Sequence, residues 1–190
     1  MFLAYDGGST EIEILNWLYA TVCLVKPQHV LETGAFQGLG TLALASACRA
    51  NGFGVVHAVE IDADMCALVT KRLAKARLSP FAQVYCADSR EFLRKTSLCF
   101  ELAFFDSQVE IRAEEFRICR EREALTGIAV FHDTSCQRTR SLDLFPDEAT
   151  HLRYREDLIR LAGEAGTGFF DFELSRGLFV VFPPKTPKLG

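Results

Sequence analysis

The segment Val30-Leu31-Glu32-Thr33-Gly34-Ala35-Phe36-Gln37-Gly38 constrains this chain more than any other. An apolar pair runs into an acidic residue and then two glycines four apart, and the helical pattern of Thr41 to Arg49 follows. Apolar strand, glycine turn and helix form the front half of a βαβ unit. Its turn lies at the carboxyl end of a parallel strand, where open α/β sheets bind ligands. Gly34 admits backbone angles that other residues avoid, and Gly38 lets a ligand approach the backbone. The turn is expected to hold a small molecule.

The rest of the chain repeats the alternation, which predicts a parallel sheet covered on both faces. Thr10 and Glu13 suggest a capping box that opens an amphipathic helix through Ile14, Leu15, Leu18 and Val22, ended by Pro27. Further strands are expected at Val55–Glu60, Ala82–Cys86, Leu102–Asp106 and Ile128–Asp133. Helices are expected at Ala63–Ala76, Ser89–Lys95, Glu110–Leu125 (capped by Gly127) and Tyr154–Ala165. Phe169–Leu174 and Leu178–Phe182, joined by Ser175-Arg176-Gly177, read as an antiparallel hairpin. Ser135 to His151 is the longest irregular stretch, and 183–190 is expected to be a loose tail.

At 190 residues, with 49% hydrophobic and 24% charged residues, the chain reads as one soluble domain with its core at about 11–182. Net charge is −4 and the arginines are scattered, so no footprint for nucleic acid is visible. No apolar run would span a bilayer and no signal peptide precedes the domain, so a cytoplasmic location without membrane contact is expected. The seven cysteines form no C-x-x-C pair; they read as small apolar residues, with Cys136 the exception because it follows a polar strand end.

The glycine order excludes two phosphate sites. Gly34-x-x-x-Gly38-x-Gly40 is not G-x-G-x-x-G, and Gly38-Leu39-Gly40-Thr41 lacks the P-loop lysine. Glu32 beside the turn disfavours a phosphate and suits a cationic or amine-bearing ligand. This acidic residue followed by a glycine turn resembles the first motif of the class I S-adenosylmethionine-dependent methyltransferases, and the strand and helix order extends the resemblance from about Glu11 to Phe182. The resemblance implies a doubly wound, Rossmann-like α/β fold. Its seven-stranded sheet would be mostly parallel, with the C-terminal hairpin antiparallel.

It also implies roles for the strand ends. Glu32, Gly34, Ala35, Phe36, Gln37, Gly38 and Thr41 would hold the methionine end of S-adenosylmethionine. Glu60, beside Ile61, would accept the ribose hydroxyls, while Asp62 reads as a helix cap. Asp88 and Ser89 would take the adenine, with capping of the following helix as the competing role of Asp88.

Asp106 and Asp133 end neighbouring strands and would converge on one pocket, where two carboxylates repel unless a cation or proton lies between them. This admits a hard divalent ion such as Mg²⁺ at Asp106 and Asp133, as in the catechol and caffeoyl-type O-methyltransferases that the layout resembles. Thr134 stands where those enzymes carry asparagine. Phe131-His132-Asp133-Thr134 is nearer to methyltransferases with a His-Asp-Thr strand end, although Asp106-Ser107-Gln108 lacks the glycine and histidine usual there.

Asp106, His132 and Asp133 are the candidate catalytic residues. His132 would serve as a base if its ring faces the pocket. His29, His57 and His151 read as surface or strand-edge histidines, and Trp17, Leu18 and Tyr19 as packing or part of a lid. Arg138 and Arg140 would either contact an acidic acceptor or be solvated.

The function expected is methyl transfer from S-adenosylmethionine to a small-molecule acceptor, at oxygen, with homo-oligomerisation left open. Alternatives are an oxygenase-like activity on the same fold, a non-catalytic cofactor-binding module, and a dehydrogenase, which the missing G-x-G-x-x-G disfavours.

Overall fold

The computed structural model describes residues 9–135, 148–164, 166–173 and 176–183. Cys136, Arg138, Arg140, the side chain of His151 and the tail beyond Pro183 lie outside the described residues.

Helix α1 (Ile12–Val25) leads into β1 (His29–Thr33), followed by α2 (Leu39–Asn51), β2 (Val55–Glu60) and α3 (Ala63–Lys75). Then come β3 (Ala82–Cys86), α4 (Ser89–Lys95), β4 (Phe100–Phe105), α5 (Val109–Glu121), β5 (Leu125–His132) and α6 (Glu148–Glu164). The chain closes with β6 (Phe169–Phe172) and β7 (Leu178–Val181). The seven strands lie in the order β3-β2-β1-β4-β5-β7-β6. Strands β1 to β5 pair in parallel, whereas β7 inserts antiparallel between β5 and β6. This is the mostly parallel seven-stranded sheet that the resemblance implied.

Because successive strand residues face opposite ways, the sheet divides the core into two layers. Val30, Val56, Leu102, Phe104 and Val130 pack against α1, α2 and α3 on one side. Leu31, Val59, Ala103, Phe105 and Phe131 pack against α5 and α6 on the other. The strands are apolar on both faces, as a buried parallel sheet requires. Among the described residues no helix is long and apolar enough to cross a membrane.

Several local expectations are corrected. The Thr10–Glu13 capping box does not form: the helix cap is Glu11, without a side-chain cap, and the Thr10 hydroxyl donates instead to Asp106 Oδ2 at 2.9 Å. Gly127 is not a helix cap. Helix α5 stops at Glu121, Glu123 turns the chain at φ 53°, and Leu125–Gly127 already belong to β5. The sheet needs glycine there because a side chain at 127 would collide with the Glu101 carbonyl, where the β4–β5 register shifts. Helix α6 begins at Glu148, inside the stretch read as irregular.

His57 is not a surface residue. It is buried, its Nε2 lies 3.1 Å from His29 Nδ1, and its Nδ1 lies 3.0 Å from the Tyr85 hydroxyl. Burial and then the His29 charge push its pKa down to about 4. Of the first-helix residues, Leu18 is fully buried and Trp17 packs on the core, which supports packing rather than a lid.

Candidate functional site

The carboxyl ends of β1, β2, β3, β4 and β5 open into one cavity of about 640 Å³. The glycine turn after β1 forms its floor. Gly34 sits at φ 77° and Phe36 at φ 45°. The Gly34 N–H donates to Val59 O, while the Asp106 N–H donates to Thr33 O, so this turn is pinned to both neighbouring strands. A side chain at 34 would strike the Asp106 backbone, and one at 38 would strike Val69. The glycines therefore serve turn packing. Gly34, Ala35, Phe36 and Gln37 line the cavity together with Leu39 and Gly40, but Gly38 does not.

Glu32 is almost fully buried at the cavity's inner wall, and Thr41, behind it, donates its hydroxyl to Oε2 at 2.5 Å. Thr41 thus positions Glu32 rather than lining the site. Burial raises the Glu32 pKa to about 8; the Thr41 bond offsets part of this, and the charges of Asp106 and Glu60 add to it. Burial thus favours the neutral acid of Glu32 near pH 7.

Glu60 ends β2 with its carboxylate spanning two turns. Oε2 accepts from the Phe36 N–H at 2.7 Å, and Oε1 accepts from the N–H groups of Ile61 and Asp62 at 2.8 and 3.0 Å. Ile61 beside it is an exposed apolar wall. Asp62 caps α3, accepting from the N–H groups of Asp64 and Met65.

Asp88 caps α4 by accepting from Arg90 and Glu91 N–H groups, and Arg90 Nη2 lies 2.7 Å from its Oδ2. The hydrogen bond from Arg90 holds its carboxyl down at about 2. Capping and a place on the cavity wall coexist. Ser89 lines the same wall but gives its hydroxyl to Glu115, which also accepts from Thr33 and Ser107. Glu115 is wholly buried and its pKa is raised by burial, despite these three donors and Arg112. It ties the ends of β1 and β4 to the start of α4, a role for which the sequence carries no visible signal.

At the ends of β4 and β5 the arrangement changes. Asp106 Oδ1 lies 3.0 Å from His132 Nδ1, and His132 Nε2 lies 2.7 Å from Glu11 Oε2. His132 is fully buried and does not line the cavity, whereas Asp106 and Asp133 do. Its ring is clamped between two carboxylates. Burial works against a charge on it, but Asp133, Asp106 and the hydrogen bonds to Asp106 and Glu11 prevail and raise its pKa to about 9. Burial likewise opposes ionisation of Glu11, yet the bond to His132, its charge and that of Arg176 hold it at about 2. The ring is buried away from the cavity with both nitrogens turned to carboxylates, so it has no direct contact with an acceptor there. The base role expected of His132 is not supported by this placement.

Asp133 leaves the strand at φ 57°. Arg176, from the β6–β7 turn, contacts it through Nε at 2.6 Å and donates Nη1 to Ser9 O at 2.8 Å. Arg112 on α5 is buried beneath both aspartates. Its positive charge is opposed by burial and favoured by Tyr154, Asp106 and Asp133, which together raise its pKa. Arg112, Arg176, Thr10 and Glu11 were not among the sequence candidates.

Asp106, His132 and Asp133 each offer a donor atom within 4.8 Å of one another, which makes them the candidate metal group. These donors are already engaged by protein groups. Three negative side chains, Glu11, Asp106 and Asp133, meet three positive ones, Arg112, Arg176 and His132, among the described residues. The Thr134 hydroxyl, expected as a weak ligand, is buried against the Gly177 backbone. The residues present do not fit a divalent ion.

Residues 31–134 match the family described as "Methyltransferase domain". No curated protein matches the chain by sequence. The fold is similar to that of the Podospora anserina methyltransferase PaMTH1, solved with S-adenosylhomocysteine, with a TM-score of 0.78 at 16% identity over 93% of this chain and 80% of that one. It is also similar to the O-methyltransferase TomG of Streptomyces achromogenes, involved in tomaymycin synthesis and solved with S-adenosylmethionine. There the TM-score is 0.77 at 17% identity, over 93% of this chain and 82% of that one. An O-methyltransferase of Bacillus cereus, solved with S-adenosylhomocysteine, gives 0.72 at 14% identity over 93% and 84%. At these identities the likeness is one of fold.

Proposed function

The chain belongs to the methyltransferase-domain family, and from that premise we propose that it transfers a methyl group from S-adenosylmethionine to the oxygen of a small-molecule acceptor. One observation carries the reading. A single cavity gathers the glycine turn, Glu32, Glu60, Asp88 and Asp106, each at the carboxyl end of a successive strand of the family's sheet. The oxygen acceptor is supported by the O-methyltransferases TomG and that of Bacillus cereus, whose fold this chain shares.

Ala35, Phe36, Gln37 and Glu32 would hold the methionine end. Glu32 gains its charge when a cationic amine is brought beside it, since the ion pair replaces the lost hydration. Glu60 would exchange the Phe36 N–H for ribose hydroxyls, and Asp88, Ser89 and the Ile61 side chain would hold the adenine. The bound cofactor supplies an electrophilic methyl group on sulfur. Catalysis then depends on alignment of the acceptor and exclusion of water. Asp106, facing the cavity and held by Thr10, His132 and Arg112, would accept the hydrogen bond of an acceptor hydroxyl and take its proton as the oxygen–methyl bond forms and the sulfur–methyl bond breaks, leaving S-adenosylhomocysteine. Asp133 supports that end through Arg112 and Arg176.

Calorimetric titration with S-adenosylhomocysteine tests the reading. Saturable binding at one site per chain, followed by methyl transfer to phenolic or other hydroxyl acceptors, is the expected outcome. A chain that binds neither S-adenosylhomocysteine nor S-adenosylmethionine would show that the fold serves another purpose.

A further inference from the structure

We propose that Arg112 is a built-in cation of this site: a positioning residue that occupies the place where a divalent ion would bridge Asp106 and Asp133, so that the site needs no metal. Two carboxylates brought to one point repel unless positive charge lies between them. Here one guanidinium nitrogen, Nη2, lies 3.2 Å from Asp106 Oδ1 and 3.3 Å from Asp133 Oδ2. The rest of the fork is also committed, with Nε donating to Ser107 O at 2.7 Å and Nη1 donating to His132 O at 2.5 Å.

The guanidinium is fixed in position as well as in charge. Its side chain is only 3% exposed and Tyr154 lies against it, with the guanidinium carbon 5.8 Å from the ring centroid. The planar, five-donor group matches this set of acceptors in a way that a lysine would not.

The aspartates leave little for an incoming ion. Asp133 gives both oxygens to Arg176 and Arg112, and Asp106 gives its oxygens to Arg112, His132 and Thr10. Both ring nitrogens of His132 face carboxylates, so metal ligation would cost one of those contacts. Mg²⁺ prefers six oxygen ligands and keeps several waters. To enter it would have to expel a buried arginine and strand its charge. Asp106 is left held in one orientation with an edge on the cavity.

The metal-free transfer in this inference rests on the methyl-transfer reading, whereas the occupancy by Arg112 does not. The full chain is titrated with Mn²⁺ alone and followed by electron paramagnetic resonance. In parallel, S-adenosylhomocysteine affinity is measured with Mg²⁺ and with a chelator. The wild type is expected to bind no stoichiometric Mn²⁺ and to hold S-adenosylhomocysteine equally under both conditions. Arg112→Gln removes the charge and exposes the aspartate pair, so it is expected to gain Mn²⁺ affinity on the order of ten-fold or more, and adding Asp133→Asn is expected to abolish the gain.

Stoichiometric Mn²⁺ binding by the wild type that Asp133→Asn removes would overturn the inference, as would a folded Arg112→Gln that gains none. Should Arg112→Gln fail to fold, the wild-type Mn²⁺ and chelator measurements still decide it. Failure of S-adenosylhomocysteine to bind under any condition would sink the cofactor reading and leave the Mn²⁺ result standing, so the two fail separately.

Discussion

The two ends of the cavity treat their carboxylates differently. At β1 and β2, Glu32 and Glu60 are satisfied by neutral donors: a threonine hydroxyl and three backbone N–H groups. At β4 and β5, Asp106, Asp133 and Glu11 face His132, Arg112 and Arg176. Neutral donors leave a site that still attracts a positive ligand, and Glu32 even gives up its charge while it waits. Cationic donors make the other end electrostatically complete before anything binds. The first region is poised for a ligand and the second is a rigid frame.

The sharpest way to break this contrast is to remove a cation from the frame. His132→Phe removes one cationic partner from both Glu11 and Asp106 and leaves the frame with an excess of buried negative charge. It is expected to destabilise the fold by about 3–5 kcal/mol, measured by urea unfolding. The same pairs set a pH window. His132 has its folded pKa raised from 6.5 to about 9, so its contribution is full below pH 6.5 and is lost as pH rises through 9. Glu11 has its folded value lowered from 4.5 to about 2, so its contribution is present above pH 4.5 and is lost as pH falls through 2. In His132→Phe the alkaline decline from this pair is expected to disappear.

A smaller effect is expected at the ligand-poised end. Glu60→Ala should weaken S-adenosylhomocysteine binding by roughly 10- to 100-fold, because charge-assisted hydrogen bonds are worth about 1.5–3 kcal/mol, and should cost about 1–2 kcal/mol of stability through the backbone N–H groups it leaves unpaired. A large loss of stability with unchanged affinity would place Glu60 in the frame instead. The smallest effect is expected at Asp62, which follows Glu60 and is not among the residues lining the cavity. Asp62→Ala removes the α3 cap and should cost about 1 kcal/mol in thermal or chemical unfolding, with ligand affinity unchanged.

The ligand-poised end was legible in the sequence because its parts are local. Glu32, the glycine turn and Thr41 lie within one βαβ unit, and Glu60 follows a plain apolar strand. The frame was legible only at Asp106, His132 and Asp133. Several of its contacts span long stretches of chain: Glu11 and His132 are separated by 121 positions, and Ser9 and Arg176 by 167. Arg112 falls at helical spacing on the buried face of α5, with Val109, Ala113 and Phe116, but only the placement of α5 beneath the strand ends shows what it meets. The reading of Asp106 and Asp133 as a pair in need of positive charge was sound, but the charge is a side chain of the protein itself. Gly127 misled for a similar reason, since a glycine after a helix pattern reads as a cap while the real demand comes from the neighbouring strand.

The antiparallel insertion of β7 between β5 and β6 carries a consequence for the order of assembly on the ribosome. Strands β1 to β4 and the glycine turn can associate once about the first hundred or so residues have emerged, since their pairings join neighbours in the chain or, for β1 and β4, bridge two intervening strands. Asp133 must wait longer, because Arg176 and the strand that covers β5 are among the last described residues to be synthesised. Until then the nascent chain carries an acidic strand end and an open edge on β5, and an unpaired strand edge is a template for pairing with another chain.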